Sequence, residues 1–122
     1  MVNAIPSLVG FSEKNGQWFA EGISLRKLTQ DFGTPLYVYS KEAICSAYRA
    51  YDSACIRPDG TRRARIHYAM KANSNLAVLD ELKQLGAGFD LVSGGELARA
   101  LHIGADPKSL VFAGVGKSSA EI

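Results

Sequence analysis

The sequence predicts an α/β protein in which parallel strands are joined by crossover helices, and three observations support this class. From Ala64 onward, short apolar runs alternate with segments of helical periodicity. Strand starts near Ala64, Gly88 and Ser109 recur at intervals of about 20–24 residues, which suits compact βα units. Gly86 and Gly104 each stand just past a predicted helix, where glycine commonly ends one. Periodicity alone leaves both a barrel and a doubly wound sheet open.

The first elements differ from this regular pattern. The alternating, aromatic stretch "QWFAEG" predicts a short strand. Ser24 is a suitable N-cap for the helix that follows, and Gly33 stands where a C′ glycine ends it.

A second predicted strand, again followed by a capped helix, comes next. Pro35 precedes the β-rich run "LYVYS", which predicts a strand, and Ser40 can cap the helix "KEAICSAYRAYDSACI". The predicted apolar stripe of this helix consists of Ile44, Ala47, Tyr48 and Tyr51. The basic segment "RPDGTRRAR" then reads as a solvated loop rather than a nucleic-acid patch, because it has no interleaved aromatic residues.

The regular region contains six predicted elements. They are strand "ARIHYAM", helix "NLAVLDELKQL", strand "FDLVS", helix "GELARALHI", strand "SLVFAG" and a helix start at "SSAEI". Ser93 with Glu96 and Ser118 with Glu121 both match the S-x-x-E capping box, which marks a helix N-terminus.

Composition excludes several classes of protein. The 122 residues are 47% hydrophobic and 21% charged with a net charge of +2, which favours one small globular unit that binds neither nucleic acid nor membrane. Cys45 and Cys55 match no redox or zinc spacing and are expected to be reduced packing residues. His67 is expected to be packed in its strand and His102 to be exposed, so no metal site is predicted.

Candidate functional groups lie where predicted strands end. In parallel α/β folds these ends gather on one face, and Lys71 follows "IHYAM" while Asp90 lies in "FDLVS". A lysine near a low-dielectric site is driven towards its neutral form, which can attack a carbonyl to give a Schiff base. Taken by position alone, the reading of Lys71 as a solvated strand end is the favoured one. "GVGKS" ends like a phosphate loop, but Val111 occupies the position that requires glycine, so a Walker A site is rejected.

Taken together, "YAMKANSNLAVLDEL", "GAGFDLVSGGELARAL" and "LVFAGVGKSSAEI" resemble the diaminopimelate decarboxylases, within the alanine-racemase-like, fold type III pyridoxal-phosphate enzymes. The resemblance implies that Lys71 is the catalytic lysine that binds pyridoxal 5'-phosphate covalently. It further implies that Asp90 and Glu96 are acidic positions near the cofactor.

The resemblance also implies an architecture and an activity. Residues 36–122 would form the first βα units of a partial (β/α)8 TIM-type barrel, and residues 1–35 would belong to a second, β-rich domain. The activity would be the decarboxylation of meso-2,6-diaminopimelate to L-lysine, the last step of lysine biosynthesis, by a cytoplasmic homodimer. Because such a barrel takes roughly 250 residues, the chain is expected to be an N-terminal fragment that is inactive by itself.

Two alternatives stay open at this point. The protein could be a related pyridoxal-phosphate decarboxylase that acts on ornithine or arginine. It could also be a non-catalytic barrel protein that binds pyridoxal phosphate.

Overall fold

A computed structural model of the protein describes residues 8–122. These residues divide into two compact units, 8–47 and 48–122, and the boundary falls within a helix. Across the described residues, no helix is both long enough and apolar enough to cross a membrane.

The first unit begins with a three-stranded antiparallel sheet. Its strands are β1 (Phe11–Lys14), β2 (Gln17–Ala20) and β3 (Ile23–Ser24), in that spatial order. Asn15 and Gly16 connect β1 to β2, and both adopt positive φ angles of 52° and 74°. Asn-Gly suits such a turn because its twist matches that of the flanking strands. The strand predicted from "QWFAEG" is therefore confirmed as β2.

Helix α1 (Leu25–Phe32) follows directly, as predicted. Ser24 occupies the N-cap position with extended backbone, although its side chain makes no capping hydrogen bond. Gly33 ends the helix at φ 80°, and its N–H donates to the carbonyl of Thr29. A residue with a Cβ would be strained in that conformation, which explains why glycine stands there.

Helix α2 (Lys41–Ala54) crosses the boundary between the two units. Ser40 caps it as predicted, because its Oγ accepts the Ala43 N–H at 3.0 Å. The predicted apolar stripe is wrong in part. Tyr48 is buried, but Tyr51 is 72% exposed, and Cys45 takes its place on the buried side. The buried side of α2 therefore includes Cys45 and Tyr48 but not Tyr51.

The strand predicted from "LYVYS" is absent from the described residues. A strand needs a neighbour that pairs with its backbone, and high β-propensity alone does not supply one. Tyr37 and Tyr39 are instead 86% and 59% exposed. The prediction of a strand here is therefore wrong for the chain as described.

The second unit contains a parallel sheet covered by helices, as the predicted class requires. Strands β4 (His67–Ala69), β5 (Gly88–Leu91) and β6 (Leu110–Phe112) lie in sequence order with β5 central. Helix α3 (Leu76–Gln84) connects β4 to β5, and α4 (Gly94–His102) connects β5 to β6. These five elements confirm the alternation read from the sequence.

The two faces of β5 differ in burial. Phe89 and Leu91 point to one face and have no exposed surface, whereas Asp90 points to the other. The helices contribute Leu79 and Ala100, which are also fully buried. The hydrophobic core of this unit therefore lies on the Phe89 face, and the opposite face carries the polar side chain.

Some predicted boundaries are corrected. Strand β4 has three residues, because the backbone forms a 3₁₀ turn at Met70–Ala72. The predicted helix start at "SSAEI" is a turn in which the Glu121 N–H donates to the Ser118 carbonyl. Both cysteines are free thiols, and Cys55 lies one residue past the end of α2.

Candidate active site

The carboxyl ends of the three parallel strands meet at one edge of the sheet. Lys71 lies in the 3₁₀ turn directly after β4, Ser93 lies just past β5, and the glycine-containing loop 113–117 follows β6. The structure therefore brings the strand-end features predicted from the sequence to the same edge.

Buried and hydrogen-bonded neighbours anchor the segment that carries Lys71. Met70 is fully buried beneath the turn, while Lys71 is exposed. Downstream, the Tyr68 hydroxyl donates to the Asn73 carbonyl at 3.2 Å, and Arg99 of α4 donates to the Ser74 carbonyl at 3.1 Å. The amine is thus held at the strand end on a backbone that is tied down on both sides.

Asn75 completes this anchoring by starting α3. Its side chain accepts the Ala77 N–H at 2.9 Å, and its own N–H donates to Asn73 Oδ1 at 3.0 Å. Asparagine is a preferred N-cap because its side-chain oxygen satisfies an otherwise unpaired helix N–H. The "KANSN" segment therefore turns at once from the lysine into a capped helix.

Asp90 lies on the same sheet face as the residues leading to Lys71. It pairs directly with Ala69 of β4 in the parallel register, two residues before the lysine. Its Oδ1 is buried and has no hydrogen-bond partner, and no other buried side-chain nitrogen or oxygen within residues 8–122 shares this condition. Buried polar atoms normally have partners, so this oxygen is suited to accept a hydrogen bond from a bound group.

Glu96 is engaged at the start of α4. Its Oε2 accepts the Val92 N–H at 2.7 Å, while its own N–H donates to Ser93 Oγ at 3.2 Å. The predicted capping box therefore forms in part, since the carboxylate reaches Val92 rather than Ser93. In this conformation Glu96 shapes the loop after β5.

The loop after β6 is closed by its own lysine. Lys117 Nζ donates to the carbonyls of Phe112 at 2.9 Å and Gly114 at 3.2 Å, and it lies 5.4 Å from the centroid of the Phe112 ring. These contacts hold the lysine against its own loop. The Lys117 ammonium thus joins the end of β6 to the turn at Gly114.

A cleft of about 250 Å³ lies at the other edge of the sheet, where the strands begin. Its lining residues include Tyr48, Asp52, Arg62, Arg65 and His67. Asp52 and Arg62 form an ion pair at 2.7 Å that lowers the pKa of the Asp52 carboxyl.

His67 is exposed, so its expected packing inside the strand is wrong, whereas His102 is exposed as predicted.

The lack of a side chain at Gly88 explains the position of the His67 ring. Gly88 pairs with His67 in the parallel register, and a Cβ at Gly88 would lie 2.5 Å from Cδ2 of the imidazole. The histidine therefore lies across the glycine on the exposed face rather than in the core.

Sequence reasoning missed two residues that support the site. Arg99 holds the Ser74 carbonyl from the neighbouring helix, and Glu121 joins the loop after β6 to the first residue of α4. Arg99 gave no signal beyond its place on a helix. Glu121 was read only as the partner of Ser118, because a contact across 27 residues has no local pattern.

Lys71 and Asp90 suit a group with an aldehyde and hydrogen-bond donors. The lysine supplies an accessible primary amine just past β4, and the aspartate supplies a buried acceptor in the neighbouring strand β5. No group of three or more histidine, cysteine, aspartate or glutamate side chains within residues 8–122 is arranged to hold a metal ion.

Known proteins are similar to this chain in sequence and fold. The diaminopimelate decarboxylase of Pseudomonas aeruginosa is 49% identical over 88% of this chain and 25% of its own length. That of Vibrio cholerae is 47% identical over 90% of this chain and also 25% of its own length. The solved diaminopimelate decarboxylase of M. jannaschii, in co-complex with L-lysine, matches with a TM-score of 0.84 and 40% identity over 91% of this chain and 26% of that chain.

The chain spans about a quarter of the length of these curated relatives. A family model described as "Pyridoxal-dependent decarboxylase, pyridoxal binding domain" matches residues 41–122, which include Lys71, Asp90 and Glu96. The resemblance seen in the sequence is therefore confirmed, and the chain belongs to the family of pyridoxal-dependent decarboxylases.

Proposed function

We propose that the full-length protein containing this chain is a diaminopimelate decarboxylase. It would remove one carboxyl group of meso-2,6-diaminopimelate as CO2, place a proton on the same carbon, and release L-lysine. The identity to relatives with this name supports the proposal, as does the similarity to a solved relative in co-complex with L-lysine.

One structural observation carries the proposal. Lys71 presents an amine at the carboxyl edge of the sheet, and Asp90, which pairs with Ala69 two residues before the lysine, has a buried carboxylate oxygen without a hydrogen-bond partner. Pyridoxal phosphate, when bound, supplies an aldehyde that condenses with amines and a ring that accepts the electrons freed by decarboxylation. Lys71 supplies a primary amine of the kind that forms a Schiff base with such an aldehyde, and Asp90 Oδ1 supplies a hydrogen-bond acceptor.

The residues of this chain have distinct roles in the proposal. Lys71 would hold the cofactor covalently through Nζ, and buried Met70 keeps that nitrogen at the strand end. Asp90 Oδ1 would accept a hydrogen bond from the cofactor or from Lys71 Nζ. This hydrogen bond would keep the donated proton on the cofactor or on the lysine. Glu96 would act from the first turn of α4, where its bond to the Val92 N–H fixes the loop after β5.

The architecture of the full-length protein follows from the same proposal. Residues 36–122 would begin a (β/α)8 barrel, in which strands added on both sides would close the sheet around β4, β5 and β6. Residues 1–35 would contribute to a β-rich domain, and the antiparallel sheet β1–β3 supports that expectation. Both the homodimer and the cytoplasmic location stay predictions from the sequence.

The test uses the full-length gene product. Purified protein is loaded with pyridoxal phosphate, reduced with borohydride, digested and mapped by mass spectrometry. We expect the reduced cofactor on the peptide that contains Lys71. A Lys71→Ala variant should lose both the adduct and L-lysine formation, whereas Lys108→Ala, which removes another exposed lysine of the same unit, should keep both.

Parallel assays with three substrates distinguish the proposed activity from the two alternatives. The protein is assayed for CO2 release with meso-2,6-diaminopimelate, ornithine and arginine in parallel. Activity on ornithine or arginine alone would replace the proposed substrate. An adduct on Lys71 without turnover of any of the three would favour a non-catalytic cofactor-binding protein, and an adduct on a different side chain would refute the role of Lys71.

A further inference from the structure

Glu121 connects two loops at the functional edge of the sheet. Its Oε1 accepts the Gly94 N–H at 3.0 Å, and its Oε2 accepts the N–H and hydroxyl of Ser118 at 2.9 and 2.8 Å. Gly94 is the first residue of α4, and Ser118 lies in the segment after β6. We call this arrangement, formed by Glu121, Gly94 and Ser118, the Glu121 clamp.

The clamp supplies a hydrogen bond that α4 cannot make within itself. The first N–H groups of a helix have no partner inside it. Ser93 satisfies one of them, because its Oγ accepts the Glu96 N–H. The Gly94 N–H is left for Glu121, whose negative charge is also favourable at a helix N-terminus.

The residue at position 94 leaves room for the clamp. The φ angle of Gly94 is not in the left-handed region, so backbone conformation does not require glycine there. A Cβ at this position would lie 3.1 Å from Oε1 and 3.4 Å from Cγ of Glu121. The absence of a side chain at position 94 therefore lets the Glu121 carboxylate approach the helix.

The clamp joins the loops that surround the proposed site. One loop leads from β5, which carries Asp90, into α4, and the other leaves β6 through the segment that Lys117 closes. Three hydrogen bonds to one carboxylate also lower the pKa of Glu121 below its ordinary value, so the clamp stays charged in neutral solution.

We propose that Glu121 is a positioning residue for the decarboxylase site, because its carboxylate makes the loops after β5 and β6 move as one unit. This inference rests on the proposed function, since it concerns the edge at which Lys71 would hold the cofactor. The clamp itself is a property of this chain and is testable without turnover.

The test measures hydrogen exchange and cofactor release in the full-length protein. Peptides covering residues 92–97 and 113–122 are followed by mass spectrometry, with and without pyridoxal phosphate. Glu121→Ala should accelerate exchange in both peptides by about tenfold, the lower range for hydrogen bonds to a charged group. The bound cofactor should also be released faster, by a similar factor. Glu42→Ala, which removes an exposed carboxylate far along the chain, should change neither quantity.

A second pair of variants isolates the contact. Gly94→Ala should accelerate exchange in both peptides, but it should add nothing when Glu121 is already alanine, because its steric partner is gone. Gly95→Ala is the matched control, since the nearest atom to its Cβ would be Ser93 Oγ at 3.9 Å. Glu121→Gln keeps the side-chain volume and one acceptor oxygen, and it replaces Glu121→Ala if that variant does not fold. It should accelerate exchange in both peptides by a smaller factor, and acceleration in residues 113–122 alone would count against the coupling of the two loops.

The outcomes separate the clamp from the proposed function. Faster exchange in residues 113–122 alone for Glu121→Ala would overturn the inference, because the loops would not be coupled. Coupled exchange with unchanged cofactor release would also overturn it, since the clamp would then be purely structural. A protein that binds no pyridoxal phosphate on Lys71 would refute the proposed function, whatever the exchange of the two peptides.

Discussion

Replacement of Gly88 by alanine tests how closely the parallel strands pack. Gly88 begins β5, and a Cβ built there would lie 2.5 Å from the backbone oxygen of Ser109 and 2.5 Å from His67 Cδ2. Ordinary van der Waals contact begins near 3.4 Å, so each neighbour would have to move by about 0.9 Å. His67 is exposed and can rotate away, but the Ser109 carbonyl is backbone at the start of β6.

The expected loss of stability depends on the Ser109 carbonyl, which cannot move aside as the His67 ring can. Inserting a methyl group into a tightly packed site typically costs about 1–3 kcal/mol, and a clash with backbone belongs near the upper end. We therefore expect Gly88→Ala to lower the free energy of unfolding by about 2–3 kcal/mol. The control is Gly95→Ala, which lies in α4 with no close neighbour and should raise stability by about 0.5–1 kcal/mol, because alanine favours a helix.

Urea denaturation of the full-length variants, followed by tryptophan fluorescence and circular dichroism, measures the change in midpoint. The m-value should stay constant if stability alone has changed. A Gly88→Ala midpoint equal to that of the wild type, or lower stability for Gly95→Ala than for Gly88→Ala, would show that the strands are not packed as described.

The same denaturation assay tests three further expectations. Ser40→Ala should lower the free energy of unfolding by about 1 kcal/mol because α2 loses its cap, whereas Ser46→Ala, inside the helix, should have little effect. Leu79→Ala should cost about 2–5 kcal/mol because it opens a cavity at a fully buried position; a smaller loss would contradict that burial. Glu21 accepts hydrogen bonds from the Glu42 N–H and the Ser40 hydroxyl, which lower its pKa. Its contribution to stability should be complete above its ordinary pKa of 4.5 and should disappear as the pH falls through the lowered value. Glu21→Gln should remove this part of the acid sensitivity; an unchanged pH profile would exclude Glu21 as its source.

Local signals predicted most of the elements correctly. The three parallel strands and all four helices follow from periodicity and from end signals such as Ser40, Gly33 and Ser93, because these act within one turn of backbone. Two predictions failed, the strand at residues 36–40 and the helix start at residues 118–122. In the first, β-propensity is present, but pairing depends on a neighbouring strand, which no local signal supplies.

The candidate site was predictable to a similar degree. Lys71 and Asp90 were found by their places in or after strands, and the family resemblance turned their position into a chemical hypothesis. That Asp90 has a buried, unpaired oxygen was not predictable, because burial depends on what the neighbouring strands and helices cover.

By itself, the sequence determined the α/β class, the order of the elements after Ala64 and the lysine at a strand end. Each of these depends on interactions between residues close together in the chain. Only the tertiary structure decided the face that α2 buries, the burial of Asp90 Oδ1 without a partner and the bond from Gly94 to Glu121. These contacts join segments that chain folding brings together, so their geometry exists only once the sheet and helices have packed.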